Sequence, residues 1–358
     1  MRIAQVSPLY ESVPPKLYGG TERVVSYLTE ELVREGHDVT LFASGDSVTK
    51  ARLVSPCRKS LRLDKSCKDY ISHHVLMLEQ AAAMQDEFDI IHFHIDYIHY
   101  PIVRRSSVPI VTTLHGRQDL PDLKALYDEF DDVPLISISN SQRSPLPHVN
   151  WQGTVHHGLP LSLYSHSAGP GNYLAFLGRI SPEKRLDRAI EIARRSGVPL
   201  RIAAKVDKAD EDYFHREIKP RLNHRDVIFL GEIGEDQKEH FLGNALALLF
   251  PIGWPEPFGL VMIEAFACGT PVIAYPEGSV PEIIDEGVTG FVCGDIGQAV
   301  ESVRKASTLD RLACRRRFEE RFSAERMAQD YLGIYRRLVF GAMRGRLAGR
   351  RRPLRAAS

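Results

Sequence analysis

Long apolar runs are missing from this 358-residue sequence: none approaches 18 consecutive apolar residues, so no stretch reads as a transmembrane helix. Met1-Arg2-Ile3-Ala4-Gln5-Val6 enters a strand pattern at once, without the apolar core and small-residue cleavage site of a signal peptide, and the expectation is a cytoplasmic protein. Cysteine is scarce: Cys57, Cys67, Cys268, Cys293 and Cys314 are odd in number and never in Cys-x-x-Cys spacing. That argues against a disulfide framework or a zinc knuckle and leaves reduced thiols, mostly in the core. Net charge is zero, but unevenly spread. Residues 311–358 hold 14 arginines against 4 acids, leaving 32 bases against 42 acids in residues 1–310. With 43% hydrophobic and 26% charged residues the composition is ordinary globular, which excludes a disordered or fibrous chain, and the length suggests two domains.

What is present is a strand and helix alternation in two series. Arg2 to Ser7 reads as a strand, Pro8 to Gly19 as a long loop, Gly20 to Arg34 as a helix with Val24, Val25, Leu28 and Leu32 on one face, and Asp38 to Ala43 as the next strand. A helix over about 70–86 precedes apolar strands at 89–94, 109–115 and 134–139. Periodicity fades from Asn150 to Gly171, and a second series starts at Asn172. Its strands are expected near 172–177, 199–204, 226–230, 246–250, 271–274 and 290–293, with helices near 183–196, 211–222, 236–243, 258–268 and 280–286. Only helical pattern follows Gly297, ending in Glu325 to Phe340 with Met327, Tyr331, Ile334, Tyr335 and Leu338 as a stripe. The Arg-rich end from Gly341 reads as a frayed tail. The fold class is α/β, two doubly wound sheets with a cleft between their C-terminal edges.

Several stretches would line that cleft. In Pro255 to Pro271 a Pro/Gly-rich loop becomes an apolar helix, Phe258 to Cys268, whose N-terminus offers backbone N–H groups and positive dipole to an anion. Glu256 lies before this helix and Glu264 inside it, too far apart to share one proton or metal and suited to two ends of an extended ligand. Leu17-Tyr18-Gly19-Gly20-Thr21-Glu22 places a glycine pair at a helix start; it suits close phosphate approach or plain capping, and it lacks Gly-x-Gly-x-x-Gly spacing. Gly178 to Lys184 opens a helix with Arg179 and Lys184 five apart, either two ligands of one diphosphate or a solvated helix start.

Strand alternation would put His92, His94 and Asp96 on one face in the His-x-His-x-Asp spacing of a metallohydrolase. No distant His/Cys cluster completes such a site, and polar groups at a strand end facing the cleft are the competing reading. His115 closes the next strand. His156-His157-Gly158 reads as structural, and Asp210-Glu211-Asp212 as a solvated face at a helix start. No metal site is expected.

Together, Tyr18-Gly19-Gly20-Thr21-Glu22, Gly178-Arg179 with Lys184, and Glu256-Pro257-Phe258-Gly259 ending in Glu264 resemble the retaining GT-B glycosyltransferases of family 4, over nearly the whole chain. The resemblance implies a Rossmann-like acceptor-side domain over 1–165, a Rossmann-like nucleotide-sugar domain over 166–323, a crossover helix over 324–340 and a basic tail over 341–358. It implies a nucleoside diphosphate sugar such as a UDP- or GDP-sugar, no cofactor, retention without metal, and an unidentified acceptor that is a glycan, lipid-linked or a small molecule. By position, Arg179 and Lys184 would bind the diphosphate, Glu264 the ribose and Glu256 the transferred sugar; Phe258, Gly259 and Leu260 would give backbone donors. Gly19 and Gly20 would approach the distal phosphate and His115 would lie beside the sugar, with His94 and Asp96 on the acceptor side. Gly278-Ser279-Val280-Pro281-Glu282 departs from the family's Gly-Gly-x-Pro-Glu. The alternatives are a metal-dependent hydrolase using His92, His94 and Asp96, and a non-catalytic sugar-nucleotide binder. Arg344 to Arg355 suits an anionic membrane surface or a soluble tail, and no nucleic-acid partner is expected.

Overall fold

The computed structural model describes residues 1–16, 19–167 and 169–347. The first half runs β1 (Arg2–Val6), α1 (Gly20–Arg34), β2 (Asp38–Phe42), β3 (Arg52–Val54), α2 (Tyr70–Ala83), β4 (Ile90–Phe93), α3 (Tyr100–Val103), β5 (Ile110–Thr113), α4 (Leu123–Glu129), β6 (Leu135–Ser137), α5 (Asn140–Arg143) and β7 (Trp151–Thr154). These seven strands form one parallel sheet in the order β3-β2-β1-β4-β5-β6-β7. Parallel strands covered on both faces are shielded from water along their length, and every residue of β4 and β5 is buried.

The second half runs β8 (Leu174–Arg179), α6 (Leu186–Ser196), β9 (Leu200–Lys205), α7 (Glu211–Tyr213), β10 (Val227–Gly231), α8 (Glu235–Gly243), β11 (Ala247–Phe250), α9 (Leu260–Ala267), β12 (Val272–Ala274), α10 (Val280–Ile283) and β13 (Gly290–Val292). This sheet is parallel in the order β10-β9-β8-β11-β12-β13. In both sheets the order reverses beside the first strand, between β1 and β4 and between β8 and β11. Such a reversal opens a crevice at the strand C-termini, where ligands bind.

Helices α11 (Ile296–Ala306), α12 (Arg311–Arg321) and α13 (Ala324–Leu347) close the chain. The stripe of α13 packs into the core of the first half: Met327, Ala328, Tyr331, Leu332 and Tyr335 are fully buried against Ile3, Val24, Leu28, Ile90 and Val111. The last helix thus crosses back over the first sheet. Tyrosines inside a core need polar partners, and Tyr331 and Tyr335 find them among side chains of the sheet.

Some expectations are corrected. Strands β3 and β7 were not predicted; both are short sheet edges, and β7 (Trp151-Gln152-Gly153-Thr154) is only half-buried, so neither carries an apolar run. The helix expected at 211–222 is broken into α7, a π-turn over 214–218 and a 3-10 turn over 219–222. Pro220, which has no N–H to donate, sits in the last of these. Helix α9 starts two residues later than expected because Gly259, at φ 78°, lies in the left-handed region. Helix α13 continues to Leu347, where a frayed tail was expected from Gly341. Most of the stretch Arg344 to Arg355 lies outside the described residues. Among the described residues no helix is long and apolar enough to cross a membrane.

Candidate functional site

A cavity of 530 Å³ lies where the C-terminal edges of the two sheets meet. This is within the usual range for small-molecule sites. Of the residues singled out from sequence, Gly19, Gly20, His94, Asp96, His115, Arg179, Lys184, Glu256, Phe258, Gly259, Leu260 and Glu264 all line it. Two helix N-termini converge there: a Cβ built on Gly20, the first residue of α1, would lie 3.5 Å from Leu260 Cδ1, the first residue of α9. Their unpaired N–H groups make the junction favourable to negative charge. At φ 78° a side chain in place of Gly259 would be strained, and its Cβ would stand 2.8 Å from Met262 Cε.

The second-half wall is built of paired charges. Lys184 forms an ion pair with Glu256, both largely buried, and its ammonium lies over the rings of Trp254 and Phe250. Arg179 faces Glu183 at 2.5 Å, with Asp210 at 3.6 Å and Asp207 at 3.7 Å. Asp210 is therefore not part of a solvated face, which corrects the reading of Asp210-Glu211-Asp212: the 3-10 turn over 208–210 folds its carboxylate back toward Arg179. Glu264 accepts a bond from Lys238 at 2.7 Å and not from anything Glu256 touches, so the two acids hold separate cations.

Lys238 continues to Glu235 at 3.2 Å, and Glu235 pairs with Arg23 of α1 and bonds Tyr164. Burial would push the Glu235 carboxyl up, yet Lys238, Arg23 and Tyr164 hold it below its usual range. This buried bridge ties the first half to the second. Arg23, Lys238 and Glu235 were missed by sequence reasoning because single charges within helices carry no spacing signature. A clue existed in Arg23 falling at the turn after Gly19-Gly20.

The loop over 278–282 does not reach the cavity. Ser279 N donates to Glu256 O at 3.0 Å and Ser279 Oγ to Phe258 O at 2.8 Å, so it braces the segment that carries Glu256. Glu282 instead accepts from Asn140 N at 2.8 Å and Ser141 N at 2.7 Å, fixing the start of α5.

The first-half wall contributes Glu22, Arg23, Arg62 and Asp96 and, behind them, a relay of neutral groups. His115 Nε2 lies 2.9 Å from His94 Nδ1; His94 Nε2 lies 2.8 Å from Gln5 Oε1; Gln5 Nε2 donates to Tyr335 OH at 3.1 Å. Tyr335 OH meets His92 Nδ1 at 2.6 Å, and His92 Nε2 meets Thr113 Oγ1 at 2.7 Å. Because Gln5 Oε1 can only accept, His94 donates from Nε2 and accepts at Nδ1 from His115 Nε2–H, which leaves His115 Nδ1 unprotonated. Among the described residues that atom has no hydrogen-bond partner. Burial holds the His115 imidazole down at about 3, and burial with the neighbouring histidines holds His94 well below its ordinary value.

These bonds correct the metallohydrolase reading. Both ring nitrogens of His92 and of His94 are occupied, and β4 ends at Phe93, with Asp96 at φ 54° in the loop beyond. Among the described residues no group of three or more His, Cys, Asp or Glu is placed to hold a metal ion. His157, read as structural, also lines the cleft: it stacks on His115 with centroids 5.3 Å apart and meets the edge of Phe258 at 4.8 Å.

Comparison with known proteins bears on this geometry. Residues 18–139 match the family described as Glycosyltransferase Family 4, and residues 165–321 match Glycosyl transferases group 1. The chain belongs to the group 1 and family 4 glycosyltransferases. A curated relative of this glycosyltransferase, the glycogen synthase of Mycobacterium tuberculosis (strain H37Rv), is 26% identical, over 92% of this chain and 91% of its own length. The fold is shared with AviGT4, a glycosyltransferase involved in avilamycin A biosynthesis, at a TM-score of 0.73 and 23% identity over 95% of this chain and 98% of that one. It is shared too with Anabaena Alr3699/HepE, solved in complex with UDP and glucose, at a TM-score of 0.70 and 18% identity over 94% and 100%. Both likenesses place the glycosyltransferase in the GT-B architecture.

Proposed function

We propose that this glycosyltransferase moves a hexosyl group from a nucleoside diphosphate sugar, such as a UDP- or GDP-sugar, to an acceptor with retention of anomeric configuration and without a metal ion. The carrying observation is the set of two paired cations, Arg179 and Lys184, beside the free N–H groups of α9, with Glu256 and Glu264 holding different partners on either side. A diphosphate entering there exchanges the carboxylate partners of Arg179 and Lys184 for its own oxygens. Glu256, released from Lys184, accepts from hydroxyls of the transferred sugar, and Glu264 from those of the ribose. The likeness to Alr3699/HepE, solved in complex with UDP and glucose, supports a donor of this class.

In the transfer, the bond from the anomeric carbon to the phosphate oxygen breaks and a bond to the acceptor oxygen forms on the same face. The acceptor proton passes to the departing phosphate oxygen, so the products are a glycoside and a nucleoside diphosphate. The protein's part is positive charge at the leaving group and orientation of the acceptor, in a cleft that excludes water. His115, with Nδ1 unprotonated, is an acceptor for a sugar hydroxyl. His94 and Asp96 face the acceptor side, and the Arg-rich C-terminal end adds contact with an anionic membrane.

Donor turnover with water as acceptor tests this reading. Proton NMR is expected to show the same anomer in the first-formed sugar as in the donor, at a rate unchanged by a chelator. An inverted product, or loss of turnover on chelation, contradicts it.

A further inference from the structure

The large exposed apolar side chains are unevenly shared. Tyr10, Leu63, Tyr70, Ile71, Val75, Leu76, Tyr97, Ile98 and Leu120 belong to the first half. Three stand together on α2: Ile71, Val75 and Leu76 are 68%, 56% and 55% exposed, more than most other side chains of that size. Spacings of four and five residues bring them to one side of the first two turns, opposite buried His74 and Met77, with Ser72 and Glu79 completing that side. Contiguous apolar surface of this kind on a water-facing helix marks an interaction site.

The loop that feeds this helix is basic. Residues 58–69 hold Arg58, Lys59, Arg62, Lys65 and Lys68 against Asp64 and Asp69, within a body, residues 1–310, whose acids outnumber its bases. Lys59 and Arg62 are engaged by Asp64 at 3.5 Å and Glu11 at 3.0 Å. Arg58, Lys65 and Lys68 are exposed and form no ion pair among the described residues.

This patch is continuous with the cleft. Leu61 N and Arg62 N donate to Leu9 O and Tyr10 O, Tyr10 packs edge-on against Tyr70 with centroids 5.8 Å apart, and both Tyr10 and Arg62 line the cavity.

We propose that the basic loop over 58–69 and the exposed face of α2 dock on an anionic lipid surface and so present the first-half rim of the cleft to an acceptor held in that membrane. The identity of the acceptor rests on the glycosyltransferase reading; the docking itself does not. Apolar side chains entering the headgroup region beside cations that face anionic lipid are the two contributions peripheral binding needs.

The test is flotation of the full-length protein with vesicles of mixed phosphatidylglycerol and phosphatidylcholine, against vesicles of phosphatidylcholine alone. The parent protein is expected to float with the anionic vesicles and to be released by salt. Ile71→Ser/Val75→Ser/Leu76→Ser and, separately, Arg58→Gln/Lys65→Gln/Lys68→Gln are expected to weaken that partition by about tenfold or more. Every changed side chain is exposed, and binding of UDP or GDP, measured in parallel, is expected to be unchanged in both variants. Vesicle binding that survives both variants assigns the contact to another surface, the Arg-rich end included, and overturns the proposal, as does absence of flotation in the parent. A concentration-dependent dimer in light scattering, abolished by the apolar variant with no vesicle binding, overturns it in favour of a second copy of the chain. Failure of the parent to bind any nucleoside diphosphate would count against the donor reading and leave the docking result standing.

Discussion

The two walls of the cleft meet the same cavity with opposite chemistry. The second-half wall is charged and internally neutralised, each cation already held by a carboxylate: Lys184 by Glu256, Lys238 by Glu264 and Glu235, and Arg179 by three acids. The first-half wall is built around an uncharged relay of imidazoles, an amide and tyrosine hydroxyls running from His115 to the crossover helix, with Glu22, Arg23, Arg62 and Asp96 about it and exposed aromatic and aliphatic side chains at its rim. The difference fits the proposed reading, in which one cleft serves two ligands. A wall of exchangeable ion pairs accepts a diphosphate with little reorganisation, because carboxylates already pre-set the cation geometry. The neutral relay does not compete for that charge and is free to orient hydroxyls.

The comparison is broken most severely at Glu256. Glu256→Ala removes both the partner that positions Lys184 and the group proposed to hold the sugar, and donor turnover, measured as kcat/KM, is expected to fall by about 10²–10³. A change of less than about threefold would detach Glu256 from the chemistry. Glu264→Gln keeps the shape but leaves Lys238 with Glu235 as its remaining carboxylate partner, and the expected effect is on binding: KM for the donor rises about tenfold with kcat kept within a few-fold. A fall in kcat with KM unchanged would contradict a ribose-holding role.

Much of this was legible because the underlying physics is local. The strand order follows from apolar runs alternating with amphipathic helices, and α1 appears with the bounds expected, since Gly20 opens it and Gly36 follows it. Glu256 and Glu264 came from a spacing and a helix start that both survive folding. The parts that were not legible depend on chain segments far apart. Asp210 looked like any acid in the first turn of a helix until its turn brought it to Arg179, and Arg23 meets Glu235 only because the two halves close on each other. Likewise His92 and His94 had the spacing of metal ligands, and the sequence could not show that Tyr335, Thr113 and Gln5 occupy their nitrogens.

The neutral relay sharpens the comparison through pH. Burial keeps His99 and His115 near 3 and holds His92, His94 and His157 well below the ordinary value of 6.5. Folded-state values below unfolded ones mean that the unfolded chain binds more protons once pH drops below 6.5. Stability is therefore complete above about pH 7 and falls as pH decreases, with a limiting slope of about 1.4 kcal/mol per pH unit for each histidine. Glu11, Glu22 and Asp96, whose carboxyls are raised by burial, act in the opposite sense but are three groups against seven histidines once His37 and His74, also lowered by burial, are counted. Denaturant midpoints at pH 7.5 and pH 5.5 check this; equal midpoints would mean the histidines are not neutral in the fold.

The smallest effect belongs to Tyr335→Phe, which deletes one hydroxyl and leaves Gln5 and His92 each short of a partner. A loss of about 1–3 kcal/mol in stability is expected, with donor affinity unchanged. Loss of donor binding would mean that the two walls are not separable.

The central claim is that the paired cations of the second-half wall hold the donor diphosphate. Titration calorimetry of UDP and GDP against the parent protein and the Arg179→Ala/Lys184→Ala variant tests it directly. At least one of the two nucleotides is expected to bind the parent and to lose about 100-fold or more in affinity for the variant, since two charge-assisted contacts at about 1.5–3 kcal/mol each are removed. Equal affinity for both proteins, with the variant folded, would contradict the account.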